Sequence, residues 1–503
     1  MYINKTLTDK TFLVIGTGTT GLITACSLSF SFPNCKIKII DKAQPEVIGV
    51  GEGTTGIFEL TMKGCGFEIP DWFEALDTTW KLGVLYENWR GNNDLIWHPF
   101  AFKSEEADLW SGLNLSTESF QEHVFPEWMS YQKNNKTITM NKMQSSYFGW
   151  HIDASLLNKF LFTRLSERKN VEFMFDEIAH VNYNNDESIL NIACVSGQEH
   201  SADLYFDGSG FSGLLSKHKN RVDLIGELFV NAAVVTQIPF SDPSQPIGTI
   251  ATCCDHGWIW TIPTQSRIGT GLVYNKSCTS LEEAKASLIK HWQQKGVTID
   301  NNSIKVLAWD PFYLTNPWHE NSISCGLAGS FVEPLEATTL QHLGILTHDI
   351  IASIEEYFIG NDKSLVRSQL NNQHVRMLLQ AVDFLRVHYE SPRTDTLFWQ
   401  YVKRNYKITK TQRYFESLMQ DPKIAMSFTL PAREALFQYW HYAAWWIQYK
   451  RVKPVFHSNM AESVMQEKLQ ALKDKAEQES KETLETLELS DWYNKKFTHK
   501  KYK

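Results

Sequence analysis

Six residues near the N-terminus have the types and spacing needed to hold phosphate. Gly16-Thr17-Gly18-Thr19-Thr20-Gly21 satisfies G-x-G-x-x-G. It follows a β-branched run, Thr11–Ile15 (TFLVI), and opens a stretch of helical character, Leu22–Phe30. Lys36–Ile40 (KIKII) then alternates as a strand, and Asp41 closes it twenty residues after Gly21. In that setting Gly16 serves the tight turn, Gly18 lets a pyrophosphate approach the backbone, and Gly21 lets helix and strand pack closely. The helix N-terminus offers its unpaired N–H groups to the phosphates, and Asp41 is placed to accept from a ribose hydroxyl. Dinucleotide binding is the chemistry expected; a glycine turn without a ligand is the plainer reading.

Other residues have suitable types without such a complete context. Val47–Gly56 (VIGVGEGTTG) is a second glycine-rich stretch and contains Gly49, Gly51 and Glu52. Much later, a short strand-like run leads into Asp207-Gly208-Ser209-Gly210. A simple NAD domain would continue strand–helix–strand after Asp41. A nucleotide fold interrupted by long insertions, with a late D-G-x-G turn, resembles the FAD monooxygenase-type folds, which implies FAD instead. Trp258 and Trp260 alternate on a strand and so share one face, which suits core packing as readily as a ligand wall. Lys81 lies between Trp80 and Leu82, an apolar setting for an amine. Glu336, in Phe331-Val332-Glu333-Pro334-Leu335-Glu336, is a carboxylate at the expected start of a helix, where the dipole alone would favour it.

These residues must be positioned by a large folded chain. Its 503 residues allow two or three structural units. With 43% hydrophobic and 21% charged residues, disordered and low-complexity classes are excluded. A net charge of −8 leaves no electrostatic footprint for nucleic acid. The first apolar run is short and glycine-interrupted, so neither a secretory signal nor a membrane span is expected. The eight cysteines are scattered without zinc spacing, which argues against a metal site and for reduced thiols in the cytoplasm. Residues 57–90 are expected to be mainly helical, 170–275 mainly strands, and 340–390 and 395–450 helical again. Met465, Leu469, Leu472 and Ala476 recur at helical spacing before a lysine-rich tail. The 17 tryptophans suit a binding wall for flat aromatic molecules.

Further blocks carry a family resemblance. They are Ile48-Gly49-Val50-Gly51-Glu52-Gly53-Thr54, Gly257-Trp258-Ile259-Trp260-Thr261-Ile262-Pro263, Gly269-Thr270-Gly271-Leu272-Val273-Tyr274 and the segment ending in Glu336. With Trp150-His151-Ile152-Asp153-Ala154 and Asp395-Thr396-Leu397-Phe398-Trp399, the chain from about 10 to 450 resembles the flavin-dependent halogenases of the tryptophan-halogenase type. The resemblance implies an α/β, FAD-binding Rossmann-type fold of the flavin monooxygenase kind. Residues 1–340 would form a discontinuous core with a β-rich insertion at about 95–275. Residues 341–460 would form a helical substrate region, and 461–503 a terminal helix and charged tail.

It also implies an activity. Reduced FAD (FADH2), delivered by a separate flavin reductase, would use O2 to oxidise a halide ion to hypohalous acid. That acid would halogenate a small electron-rich aromatic such as an indole or phenol. Lys81 matches the lysine that holds the halogenating species and lies, in the family, in a helical stretch; Glu336 matches the catalytic glutamate. Gly16, Gly18, Gly21, Asp41, Gly49, Gly51, Glu52, Asp207, Gly208 and Leu335 would bind the cofactor. The N–H groups of Thr338 and Thr339 would bind halide. His98, Phe100, Trp445 and Trp446 would line the substrate site, with Trp258 and Trp260 separating flavin from substrate. Where the family has serine and glycine, this chain has Ala337 and Thr339. The altered turn predicts bromide or iodide over chloride. No nucleic acid or membrane partner is expected, and a homo-oligomer is allowed. The competing activities are aromatic hydroxylation by a flavin enzyme and an inactive flavoprotein acting as a binding module.

Overall fold

The computed structural model describes residues 7–42, 51–81, 83–99, 149–216, 220–239, 248–360, 362–418 and 436–450, together with 467, 470, 471 and 474. The chain divides into two compact units, each assembled from three separate stretches. The first comprises Met1–Thr78, Ile152–Asn231 and Ala308–Val382; the second comprises Thr79–His151, Ala232–Leu307 and Asp383–Lys503.

The first unit is built on a six-stranded sheet. In spatial order its strands are Trp318–His319, Ser322–Ser324, Leu204–Asp207, Thr11–Ile15, Lys36–Asp41 and Val171–Phe175. All neighbours are parallel except the Trp318–His319 edge. Side chains alternate across it. Leu13, Ile15, Ile40 and Tyr205 pack on one face with Ile189, Ile192 and Cys194 of a small antiparallel sheet. Phe12, the residue before Leu13, meets Phe32 and Phe206 edge-on on the other side. Helix Thr19–Ser31 packs against Ala154–Ser166 and against the long helix Thr338–Ile359, which also meets Ile57–Gly64. The last contact is close: a Cβ on Gly344 would lie 2.3 Å from Thr61 Oγ1.

The second unit holds a seven-stranded sheet. Its order is Lys305–Ala308, Ala232–Pro239, Arg267–Tyr274, Gly257–Pro263, Thr249–Cys254, Gly83–Glu87 and Leu95–Pro99. Helix Leu281–Gln294 covers one face through Ala284, Leu288 and Trp292, against Ala232, Val234, Ile259 and Leu272. A capping box between Ser280 and Glu283 starts that helix. Helices Leu397–Asn405, Lys410–Leu418 and Tyr439–Lys450 belong to this unit as well.

The nucleotide elements, the strands after 170 and the later helices lie where the sequence places them. The 57–90 stretch does not. Only Ile57–Gly64 and Ile69–Trp72 are α-helix; Thr79–Lys81 and Gly83–Glu87 are strands. The physical reason is local. Thr78, Thr79 and Val84 are β-branched, and Gly83 passes so near its neighbour that a Cβ would sit 2.4 Å from His98 O. Lys81 is therefore a strand residue, which corrects the helical expectation. The helix expected over 465–476 lies outside the described residues, except that 467, 470, 471 and 474 are helical.

Candidate active site

In the first unit the G-x-G-x-x-G turn is held from both sides. Gly16 has φ +95°, and a Cβ there would meet Gly208 O at 2.5 Å. A Cβ on Gly21 would lie 2.0 Å from Gly16 O, so helix and strand pack backbone to backbone. Gly18 is different. Its φ of −71° and ψ of 175° suit any residue, yet nothing lies within 4 Å of where a Cβ would be. It is the N-cap of Thr19–Ser31 and supplies no side-chain cap, so the donors of the first turn face an open cradle. Space and donors both fit a pyrophosphate.

Asp41 ends its strand beside this turn. Its Oδ2 accepts from Thr17 N and Thr17 Oγ1, each at 2.8 Å, and Oδ1 accepts from Lys42 N at 2.7 Å. A carboxylate has about four lone-pair sites, so capacity remains for a ribose hydroxyl. Asp207 is fully buried and turned into its own loop, accepting from Ser209 N, Ser209 Oγ and Leu215 N. It shapes the Gly208 turn, whose N–H donates to Ile15 O at 2.9 Å. Gly51 has φ +79°, and Glu52 forms a two-residue strand with Gly53. Gly49 lies outside the described residues.

The glutamate segment of this unit bends sharply. Leu335 and Glu336 are buried, and two consecutive residues adopt left-handed backbone: Glu336 at φ 63°, ψ 13° and Ala337 at φ 55°, ψ 30°. Each costs about 1–2 kcal/mol for an L-residue. The bend delivers Thr338 and Thr339 to the first turn of the Thr338–Ile359 helix, whose N-cap, Ala337, makes no side-chain cap. The backbone N–H groups there can take an anion. Thr338 Oγ1 turns back to Glu333 O at 3.4 Å.

In the second unit Lys81 is 1% exposed. Its strand, Thr79–Lys81, pairs antiparallel with Gly149–Ile152 in the register Thr79↔His151, Trp80↔Trp150, Lys81↔Gly149. Thr79, Lys81 and His151 thus share one face, and the indoles of Trp80 and Trp150 meet on the other, centroids 4.5 Å apart and tilted by 32°. Burial and the Lys81 charge hold His151 well below the ordinary histidine range, so its imidazole is neutral.

Trp258 and Trp260 are both buried on Gly257–Pro263 with ring centroids 6.2 Å apart, and Gly271 leaves room for the Trp260 ring. Trp258 Nε1 donates to Tyr389 OH at 3.1 Å. His98 is buried on Leu95–Pro99, its ring 5.4 Å from Phe384 and 5.1 Å from His441. Phe100 lies outside the described residues. Trp445 is packed among Tyr86, His388 and Tyr449, and Trp446 against Tyr442. The fully buried pair therefore joins an aromatic cluster that also includes Trp89. Sequence reasoning passed over Tyr389, Thr79 and the place of His151. Only the strand pairing exposes the last two.

The family model described as tryptophan halogenase matches residues 11–464. The tryptophan 6-halogenase ThaL of Streptomyces albogriseolus is 28% identical over 422 residues, covering 78% of this chain and 78% of that protein. The tryptophan 7-halogenase RebH of Lentzea aerocolonigenes is 26% identical over 428 residues, again covering 78% of each. Among solved structures, Xcc4156, a flavin-dependent halogenase from Xanthomonas campestris, matches with a TM-score of 0.83. That match covers 97% of this chain and 98% of the other at 21% identity, a likeness of fold.

Proposed function

The chain belongs to the tryptophan halogenase family, and from that premise we propose that it halogenates a small electron-rich aromatic at the expense of reduced FAD, O2 and halide. Gly16, Gly18, Gly21 and Asp41 would hold the FAD nucleotide, with Gly49, Gly51, Glu52 and Leu335 along the cofactor and Asp207 and Gly208 bracing the turn. When bound, reduced FAD supplies the O2-derived oxidising equivalent that turns halide into hypohalous acid. The N–H groups of Thr338 and Thr339 hold the halide. Lys81, as an ammonium, donates to the hypohalous oxygen and orients the halogen toward the ring. Glu336 accepts the proton that the ring loses after halogen addition. His98, Phe100, Trp445 and Trp446 supply the aromatic surroundings of the substrate, and Trp258 and Trp260 keep substrate and flavin apart.

The observation that carries this reading is the burial of Lys81. A lysine is rarely fully buried, because removing its charge from water is costly, and here the amine is enclosed beside the neutral His151 where the resemblance places the halogenating species. Aromatic hydroxylation is not favoured, since it has no use for a halide site. A separate reductase and a bromide or iodide preference belong to the same proposal. The test supplies a flavin reductase, NADH, FAD, O2 and each halide with a panel of indoles and phenols, and reads product masses. Halogenated product that depends on halide is expected. Oxygen insertion without halide would overturn the reading.

A further inference from the structure

His151 sits on the same sheet face as Lys81, in a network that fixes which of its nitrogens carries the proton. Thr79 Oγ1 lies 2.6 Å from Pro263 O, an atom that can only accept, so the single hydroxyl proton of Thr79 goes there. The 3.1 Å contact between Thr79 Oγ1 and His151 Nδ1 must then run from Nδ1–H to the hydroxyl. With the ring neutral, Nε2 is bare and accepts from Thr249 Oγ1 at 3.0 Å. His151 is fully buried.

Through these bonds the imidazole and the Thr79 hydroxyl together tie three strands of the second unit to the strand of His151. Thr79 belongs to the lysine strand, Pro263 ends the Gly257–Pro263 strand that carries Trp258 and Trp260, and Thr249 starts the strand beside it. Thr79–Lys81 is only three residues long, so its own ladder holds it weakly. Lys81 stands diagonally across from His151, two residues beyond Thr79. Lys81 is the charge that acts on the ring, while Glu52 belongs to the strand on the other side of Gly149–Ile152 in the same small sheet.

We propose that His151 is a positioning residue for Lys81, an Nδ1–H imidazole that holds the Thr79 hydroxyl toward Pro263 and ties the lysine strand to Thr249–Cys254, beside the tryptophan strand, and so fixes where the ammonium meets the hypohalous acid. This rests on the role given to Lys81 above. Its absence leaves flavin oxidation intact and lets hypohalous acid leave unused.

Two measurements test it. The first is halogenated product formed per reduced FAD oxidised, with released hypohalous acid trapped by taurine. His151→Leu is expected to lower that ratio by about 100-fold, as a misplaced group does, without changing the rate of flavin oxidation. His151→Asn keeps a donor where Nδ1 stood and should recover most of the ratio. Thr79→Val, nearly isosteric and suited to a strand, should fold where His151→Leu does not, and should lower the ratio likewise. The second is the 15N spectrum of histidine-labelled protein at neutral pH, with His151 identified by its loss in His151→Asn. A protonated Nδ1 and a bare Nε2 are expected; the opposite tautomer or an imidazolium overturns the proposal. Should Lys81→Ala keep wild-type product, the lysine reading fails and this one with it. Should Lys81→Ala be inactive while folded His151→Leu or Thr79→Val keeps the wild-type ratio, only the role of His151 is overturned.

Discussion

At Gly18 the backbone is one any residue could adopt, and a Cβ would meet nothing within 4 Å. Gly18→Val should therefore fold, costing about 1 kcal/mol or less as a poorer N-cap. It should nonetheless lose FAD affinity by about tenfold or more, because its side chain fills the space the pyrophosphate needs. Gly21→Ala is the opposite case. Its Cβ would lie 2.0 Å from a backbone oxygen, so it should lower thermal stability by about 1–3 kcal/mol. Titration with FAD and melting curves on the two variants separate ligand space from packing space. Unchanged FAD affinity in Gly18→Val would place the nucleotide elsewhere. Glu336→Gln should lower kcat roughly 100-fold with little change in KM, as removal of a general base does. A rise in KM alone would make Glu336 a binding residue.

At the scale of elements, the turn before Thr338–Ile359 is where the proposal seats the halide. Left-handed Glu336 and Ala337 lead into β-branched Thr339, a stiffer approach to the N–H groups than serine and glycine would give. Chloride is small and strongly hydrated, so an ill-fitted pair of donors recovers less of its dehydration cost than of bromide's. In a mixture of equal halides, brominated product should exceed chlorinated product, and Ala337→Ser with Thr339→Gly should shift the ratio toward chloride. Chloride prevailing in the unaltered protein would contradict this. The same scale explains what was legible in the sequence. The nucleotide turn could be read because strand, glycines, helix and Asp41 lie within one short stretch and constrain one another. The lysine strand could not. Its three residues have no periodicity of their own, and their partner, Gly149–Ile152, lies far along the chain. The tautomer of His151 is further removed still, since it depends on Thr79 and Thr249 meeting at one ring and on Pro263 taking the Thr79 proton.

Across the whole molecule, each unit gathers three distant stretches of chain, so a division by sequence order and the division in space need not coincide. Both units bury neutral histidines. Burial lowers His342 and His291 to about 4, and His374 well below its ordinary value of 6.5, as it does His151. His342 and His374 lie ring to ring at 4.5 Å, one each from Thr338–Ile359 and Lys363–His388. Below pH 6.5 the unfolded chain protonates these groups and the native chain does not. The unfolded state then binds more protons, so stability falls as pH drops from 6.5 toward 4. For a fully buried group such as His342 the slope is about 1.4 kcal/mol per pH unit. Melting temperature should fall steeply across that window, and His374→Phe should fall less steeply; equal slopes would contradict the assignment.

The central claim is that Lys81 directs a halogenating species made elsewhere in the same protein. Its most direct test follows reduced FAD oxidation and product mass together in Lys81→Ala, with bromide and an indole. Oxidation of reduced FAD at the unaltered rate with no brominated indole is the predicted result. Brominated indole at the level of the unaltered protein would contradict it.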